Sequence, residues 1–452
     1  MEEHRPLRVA VIGAGPAGIY AADILSKNHP TATVDVFDRL PTPYGLIRYG
    51  VAPDHPRIKE IINALHKVLD NPRIRFIGNI DYGVDVKLEE LRPFYDATIF
   101  ATGADKDREL DIPGIDLPGS YGAADFVSWY DGHPDVSREW PLTATQVAVI
   151  GAGNVAVDVA RVLAKTADEL LETEIPDNVY QGLLASPVTD VHLFSRRGPA
   201  QVKFTPMELR ELDHSPNVDV IVHPEGIEFD EGSLEEMRKT RHVKMCVDIL
   251  QNWAVRDPRE DRKRRLHLHF LQAPVAILGD PESGVTGFRT ETQELVGDGT
   301  VRGTGEFTDW DVQAVYRAVG YLSKPLSDLP FDTGSGTVPH AAGRVLDIDG
   351  NHIPGVYVTG WIKRGPVGLI GHTKGDANET VTSLLADADT LPAATRTDPA
   401  EVLTYLQRRG VRYTSWAGWQ LLDKHEISLG EPHGRKRIKV VPREDMITLS
   451  GH

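Results

Sequence analysis

Two groups of residues in this chain have the types and spacing to do chemistry. Gly13, Gly15 and Gly18 stand in Gly-x-Gly-x-x-Gly order, and Asp38 follows 20 residues after Gly18. In mid-chain Gly151, Gly153 and Ala156 stand in Gly-x-Gly-x-x-Ala order, and Arg196-Arg197 follow further on. In such a turn the first glycine permits a tight bend and the second lets the backbone approach a pyrophosphate. The third small residue lets the helix pack on its strand. A carboxylate at the ribose-reading position accepts hydrogen bonds from both ribose hydroxyls and repels a 2′-phosphate. Asp38 therefore points to FAD or NAD. Guanidinium groups match phosphate oxygens in a fork and keep their charge, so Arg196 and Arg197 point to NADP. One charge-assisted contact contributes ~1.5–3 kcal/mol, a preference over NAD of about tenfold to a hundredfold.

These residues need strands and helices to hold them. The run Val-Ala-Val-Ile-Gly-Ala-Gly occurs at 9–15 and again at 147–153. Each copy is an apolar β run feeding a glycine turn and a helical pattern, which seats a pyrophosphate on a helix N-terminus. The spacing predicts a strand over 7–12, a helix over 19–27 and a strand over 33–37. A loop over 40–56, a helix over 58–69 and strands near 73–77 and 97–100 follow. Residues 105–120, with Pro113, Gly114, Pro118 and Gly119, read as a crossing between domains. The second unit reads as a strand over 146–150, a helix over 154–164 and a strand over 190–195. Beyond it the pattern predicts helix over 235–265, strands near 266–271, 286–295 and 312–319, a β run at 356–358, helices over 376–385 and 400–409, and a strand near 436–441. The fold class is α/β, with two Rossmann-like dinucleotide-binding domains. The NADP domain (107–319) is inserted in a discontinuous FAD domain (1–106 and 320–452).

Composition narrows the function. The net charge of −17 disfavours binding to nucleic acid or anionic membrane. No run approaches the ~20 apolar residues of a membrane span, and no targeting segment precedes the first glycine turn, so the cytoplasm is the expected location. Cys246 is the one cysteine. A thiol-pair redox centre and a cysteine-ligated cluster are thereby excluded, and electron chemistry must come from bound cofactors.

The chain resembles the adrenodoxin-reductase type of ferredoxin–NADP reductase, in its bacterial branch. The resemblance covers nearly the whole length. It rests on 40–48 (LPTPYGLIR), 50–56 (GVAPDHP), 195–199 (SRRGP) and 360–366 (GWIKRGP), with Ile99-Phe100-Ala101-Thr102-Gly103 as a further match. Related flavoproteins carry Gly-Asp near the C-terminus; here Gly360 is followed by Trp361. The resemblance implies FAD held by Ala17, Asp38, Leu46, a backbone contact near Tyr82, Trp361 and Gly368-Leu369-Ile370. It implies NADP held by Arg108, Ala152, Gly153, Asn154, Val155, Arg196, Arg197, Glu208 and Gly368. The helix after Gly365–Gly371 would turn its positive end toward the reduced flavin. His55 and Glu211 resemble the family's polar pair at the reacting rings, although His55, flanked by Pro53 and Pro56, also reads as a turn residue capped by Asp54.

The implied activity is hydride transfer from NADPH to FAD and one-electron delivery to a ferredoxin-like iron–sulfur protein. An acidic partner needs a basic face. Residues 238–265 hold ten Lys or Arg against four Asp or Glu, centred on Arg262, Lys263, Arg264 and Arg265. The same run reads equally as a solvated charge cluster. A flavin monooxygenase or a diaphorase is the alternative, but the monooxygenase motif Phe-x-Gly-x-x-x-His is absent.

Overall fold

A computed structural model describes residues 6–366 and 370–451. The chain divides into two compact units. One holds the chain up to Lys106, the short stretch His133–Asp135, and the chain from Tyr321 onward; the other holds Asp107–Gly132 and Val136–Gly320.

The first unit opens with β1 (Arg8–Ile12), α1 (Pro16–Asn28) and β2 (Thr33–Phe37). Every residue of β1 is buried, because the strand lies inside a parallel sheet covered on both faces. β1 pairs in parallel with β2 on one side and with Ala97–Phe100 on the other. The sheet has eight strands. From one edge they run His340–Ala341, Arg344–Leu346, His352–Val358, Ala97–Phe100, β1, β2, Ile74–Gly78 and Thr414–Ser415. Its five central strands are parallel and the edge pairings antiparallel. Because His352–Val358 runs parallel to β1, α1 and the helix Ile370–Ala386 both leave the carboxyl edge of this sheet, packed on each other.

The second unit repeats the opening with β3 (Gln146–Ile150), α2 (Asn154–Ala164) and β4 (Asp190–Phe194), and adds β5 (Val218–Val222) and β6 (Arg264–His269). Its six-stranded parallel sheet runs Ser120–Gly122, Ala314–Arg317, β3, β4, β6, β5. A three-stranded antiparallel sheet, Gln272–Asp280, Gly284–Leu295 and Val301–Trp310, accompanies it. Among the described residues no helix is long and apolar enough to cross a membrane.

Several sequence expectations change. α1 starts at Pro16 rather than 19, because proline's fixed φ and missing N–H suit a first helical position. The helix expected over 235–265 is two helices, Glu231–Lys239 and Arg241–Ala254, and β6 begins at Arg264. Residues 436–441 form no strand, and Trp416–Gly430 is helical. The helix expected from 376 begins at Ile370. The strand Val301–Trp310 was not expected, because nearly all of it is exposed and polar.

Candidate functional site

In the first unit, β1 ends at Gly13, whose φ is +114°. A Cβ there would lie 2.4 Å from the Ala101 carbonyl oxygen, so only glycine fits. A Cβ on Gly18 would lie 1.9 Å from the Gly13 oxygen, which brings α1 hard against the turn. Gly15 caps α1 without a side chain, so no side chain occupies the place in front of the helix N-terminus. Asp38 closes the turn from below: its carboxylate accepts from Ala14 N at 2.7 Å and from Leu40 N at 2.9 Å. Burial raises its pKa and those two backbone N–H groups oppose the rise.

A loop roofs this turn. Tyr44 and Gly45 both take positive φ, +84° and +51°. Tyr44 N donates to Ala14 O at 2.8 Å, and a Cβ on Gly45 would lie 3.1 Å from Gly15 Cα. Half-buried Leu46 opens the short helix Leu46–Tyr49 directly afterwards. The loop is anchored by Arg48, which donates both terminal nitrogens to Glu426, at 3.0 Å and 2.5 Å. Both side chains are almost wholly buried, and the carboxylate holds the Arg48 pKa above its usual value despite burial. Trp419 lies under the guanidinium at 5.1 Å.

On the other side, Gly360 has φ +78°, and a Cβ on it would lie 2.7 Å from Ala17 Cβ. Gly360 N and Thr359 Oγ1 both donate to Asp376 Oδ2, at 2.5 Å and 3.0 Å. This places half-buried Trp361 at the start of a helical turn next to α1. Gly368 and Leu369 lie outside the described residues; Ile370 begins the helix Ile370–Ala386, and its side chain is likewise outside them. Tyr82 donates its hydroxyl to Ser327 O at 3.1 Å and sets its ring edge-on to Phe100 at 4.9 Å. His55 is buried at the N-terminal end of the short helix Pro56–Lys59, without a side-chain cap.

In the second unit the turn recurs with different surroundings. Gly151 N donates to Phe194 O at 3.0 Å, as Gly13 N does to Phe37 O at 2.7 Å. A Cβ on Gly151 would lie 2.3 Å from Ala318 O, whereas one on Gly153 would meet nothing within 4 Å. Ala152 O accepts from Lys203 N at 2.7 Å, and Asn154 Oδ1 accepts from Thr205 N at 3.1 Å. Thr205 caps the helix Pro206–Leu212, which carries buried Glu208 and half-buried Glu211. Glu208 lies 3.9 Å from Arg161 of α2, and Val155 stands in the first turn of that helix. Arg196 and Arg197 leave the end of β4 fully exposed, and among the described residues neither makes an ion pair. Arg108, also exposed, donates its backbone N to Gly320 O at 2.8 Å.

The first unit thus gathers Gly13, Gly15, Ala17, Gly18, Asp38, Leu46 and Trp361 around one turn. The second gathers Gly151, Ala152, Gly153, Asn154, Val155 and Glu208 around the other. The basic run is largely engaged with its own unit. Arg264 donates to Lys165 O at 2.5 Å and to Ser186 O at 3.3 Å, Arg265 forks onto Asp190 at 2.6 Å and 2.8 Å, and Arg262 donates to Ser215 O at 3.0 Å. Lys263 is exposed. Sequence reasoning missed Glu426 and Asp376, since both act across long stretches of chain and no local pattern marks them.

A strand–glycine turn–helix with an acid in one unit, and the same device with two unpaired arginines in the other, define an α/β oxidoreductase with two dinucleotide sites. The family described as pyridine nucleotide-disulphide oxidoreductase matches residues 7–211. The chain is 40% identical over 462 residues to the NADPH-ferredoxin reductase FprA of Mycobacterium tuberculosis, covering 98% of this chain and 99% of that one. It is 38% identical to the mitochondrial NADPH:adrenodoxin oxidoreductase of Arabidopsis thaliana, covering 99% and 96%. The solved structure of Mycobacterium tuberculosis FprA in complex with NADPH superposes with a TM-score of 0.91, covering 99% of this chain and all of that one. The chain belongs to the NADPH–ferredoxin and adrenodoxin reductase family. Its buried Cys246, whose thiol pKa burial pushes up to about 11, has no second cysteine to pair with, so the disulphide chemistry in the broader family's description does not extend to it.

Proposed function

We propose that this protein is an FAD-dependent oxidoreductase that takes hydride from NADPH and passes electrons singly to a ferredoxin-like iron–sulfur protein. The observation that carries this reading is the asymmetry of the turns: a half-buried acid at the ribose position of one, two exposed and unpaired arginines at that of the other. Both cradles fit their groups. At Gly13, Gly18 and Gly151 a Cβ would collide with backbone oxygens, so only small residues make these turns tight enough, and Gly153 leaves open space for a pyrophosphate. Bound FAD supplies the two-electron to one-electron conversion, which no side chain of this chain can perform.

The chain's residues bind and orient. Asp38 accepts the ribose hydroxyls of FAD and excludes a 2′-phosphate, while Ala17, Leu46, the Tyr82 backbone, Trp361 and Gly368–Ile370 hold its remainder. Arg196, Arg197 and Arg108 hold phosphate oxygens of NADP, with Ala152–Val155 on its pyrophosphate and Glu208 beside them. His55 is a positioning residue for the nicotinamide carboxamide, and Glu211 is assigned the same kind of role. The partner docks on the basic run near Arg262, Lys263, Arg264 and Arg265, and the enzyme works in the cytoplasm. Because Arg264 is tied to carbonyl groups, Lys263 is the residue to reverse: turnover with the acidic partner should fall with salt and in Lys263→Glu. Turnover indifferent to both would argue against this face.

The deciding experiment is stopped-flow absorbance of the purified protein mixed with NADPH, with NADH as control. A flavin spectrum bleached preferentially by NADPH is expected. No bleaching, or equal bleaching by both nucleotides, would overturn the assignment.

A further inference from the structure

Four imidazoles cluster at the carboxyl end of the second unit's sheet, away from any role assigned above. His192 of β4 and His267 of β6 are direct partners in the parallel register. His269 lies two residues further along β6 on the same face, and His223 follows the end of β5. The rings lie nearly parallel. His192 stacks on His267 at 4.5 Å with 9° between planes, and His223 stacks on His269 at 4.4 Å with 12°. Their edges are hydrogen-bonded: His192 Nδ1 to His269 Nε2 at 3.0 Å, and His223 Nε2 to His267 Nδ1 at 3.2 Å. His267 Nε2 lies 2.9 Å from Asp190 Oδ1.

Interior strands of a parallel sheet ordinarily carry Val, Ile and Leu. Four imidazoles in their place, two buried and two half-buried, gather several lone-pair nitrogens at one spot, partnered mainly by one another. We propose that His192, His267 and His269 form a site for a divalent first-row transition-metal cation of the zinc class.

Ligand nitrogens of these three residues already lie within 4.8 Å of one another. Tetrahedral zinc with Zn–N bonds of about 2.0–2.1 Å separates its ligand nitrogens by roughly 3.4 Å. The His192–His269 pair, at 3.0 Å, therefore needs to open only slightly, whereas His267, stacked on His192 at 4.5 Å, must rotate out of that stack to bring its lone pair to the ion. The ion takes the place of the proton shared by that pair, and this proton moves to the opposite nitrogen of its own ring. Asp190 accepts from His267 Nε2, the arrangement in which a carboxylate orients a ligating histidine, and Nδ1 reaches the metal by giving up its hydrogen bond to His223 Nε2. Arg265, forked onto Asp190, orients that carboxylate in turn. The His267 side chain is 14% exposed, which leaves a way in. Phe194 and Trp310 pack on His269 at 4.7 Å and 4.5 Å and wall the site on its apolar side.

The test uses tag-free, flavin-loaded protein stripped with a chelator and titrated with Zn²⁺. One zinc per chain is expected, with a rise in melting temperature that follows zinc concentration. In His192→Gln/His269→Gln the bound zinc should fall at least tenfold, whereas His242→Gln, an exposed histidine on Arg241–Ala254, should bind as the parent does. Should the double variant not fold, Co²⁺ in the parent protein decides without it: visible bands of tetrahedral cobalt with imidazole donors support the site. Absence of stoichiometric zinc, equal binding by the double variant, or an octahedral cobalt spectrum would overturn it.

Discussion

At the third position of the first glycine turn, a methyl group on Gly18 would lie 1.9 Å from the Gly13 carbonyl oxygen, whereas the second turn carries Ala156 there, fully buried and accommodated. At the second position the contrast is reversed in kind. Gly15 is roofed by Gly45 within contact distance, while Gly153 faces open space. Seven identical residues thus open two turns that differ in how closely the helix approaches and in whether a loop covers the top. The roof over the first is held by a buried ion pair, Arg48 with Glu426, and by the positive-φ pair Tyr44-Gly45. Residues forced into that backbone region persist only where their surroundings hold them. A roofed cradle suits a dinucleotide that stays through many turnovers. An open one, flanked by exposed Arg196 and Arg197, suits a dinucleotide that must leave after each.

The largest effect should come from closing the first cradle. In Gly18→Val the side chain has no space against the Gly13 carbonyl, and α1 must move away from β1. Overpacking of this kind costs more than about 3 kcal/mol where backbone has to give. The protein should be recovered without flavin, read as the ratio of flavin to protein absorbance. A stoichiometric flavin in that variant would show that helix approach is not what distinguishes the first turn.

Next in size is the second unit's selectivity. Arg196→Ala/Arg197→Ala removes charge-assisted contacts of ~1.5–3 kcal/mol each, so kcat/KM for NADPH should fall about a hundredfold or more while that for NADH stays near its parent value. Both side chains are exposed and make no ion pair among the described residues, so folding stability should change by less than about 0.5 kcal/mol. A parallel loss with both nucleotides would mean that these arginines support the loop rather than read a phosphate.

A smaller effect is expected at His55, buried at the start of the short helix Pro56–Lys59 and proposed above to position the nicotinamide. In His55→Gln flavin reduction by NADPH should slow by about tenfold, the size of one lost orienting contact of ~1.4 kcal/mol, with little change in NADP affinity. An unchanged hydride rate with weakened affinity would assign His55 to binding alone.

What sequence revealed and what it hid follow from range. β1, α1, β2 and their counterparts β3, α2 and β4 are set by apolar period and by turn residues a few positions apart, and those elements were legible to within a few residues. The exception at α1, a start at Pro16, came from a local rule about proline. The partner of Arg48 was not legible, because Glu426 lies 378 residues away and both residues read as surface charge in isolation. The histidine cluster was hidden for a related reason. Its members come from two strands and from the residue just past a third, and parallel register brings them to one face. The exposed strand Val301–Trp310 lacks a buried face and so lacked a period to read.

The smallest expected effect is the converse of the first. Ala156→Gly gives the second turn the glycine that the first one needs. Nothing is overpacked, so the cost is the lost helix propensity, about 1 kcal/mol, together with roughly 0.8 kcal/mol for one buried methyl. The KM for NADPH should stay within about twofold of the parent, well under the 1.4 kcal/mol that a tenfold change requires, and the melting temperature should fall by a few degrees. The substitution matters because it removes the one difference between the turns at the three small-residue positions that define the motif. If NADPH binding survives it, the character of the second site resides in what surrounds the turn, the open face at Gly153 and the two arginines after β4. If binding collapses, the Ala156 methyl is what holds α2 at the distance the nucleotide requires, and the contrast in helix approach, rather than the roof, separates the two cradles.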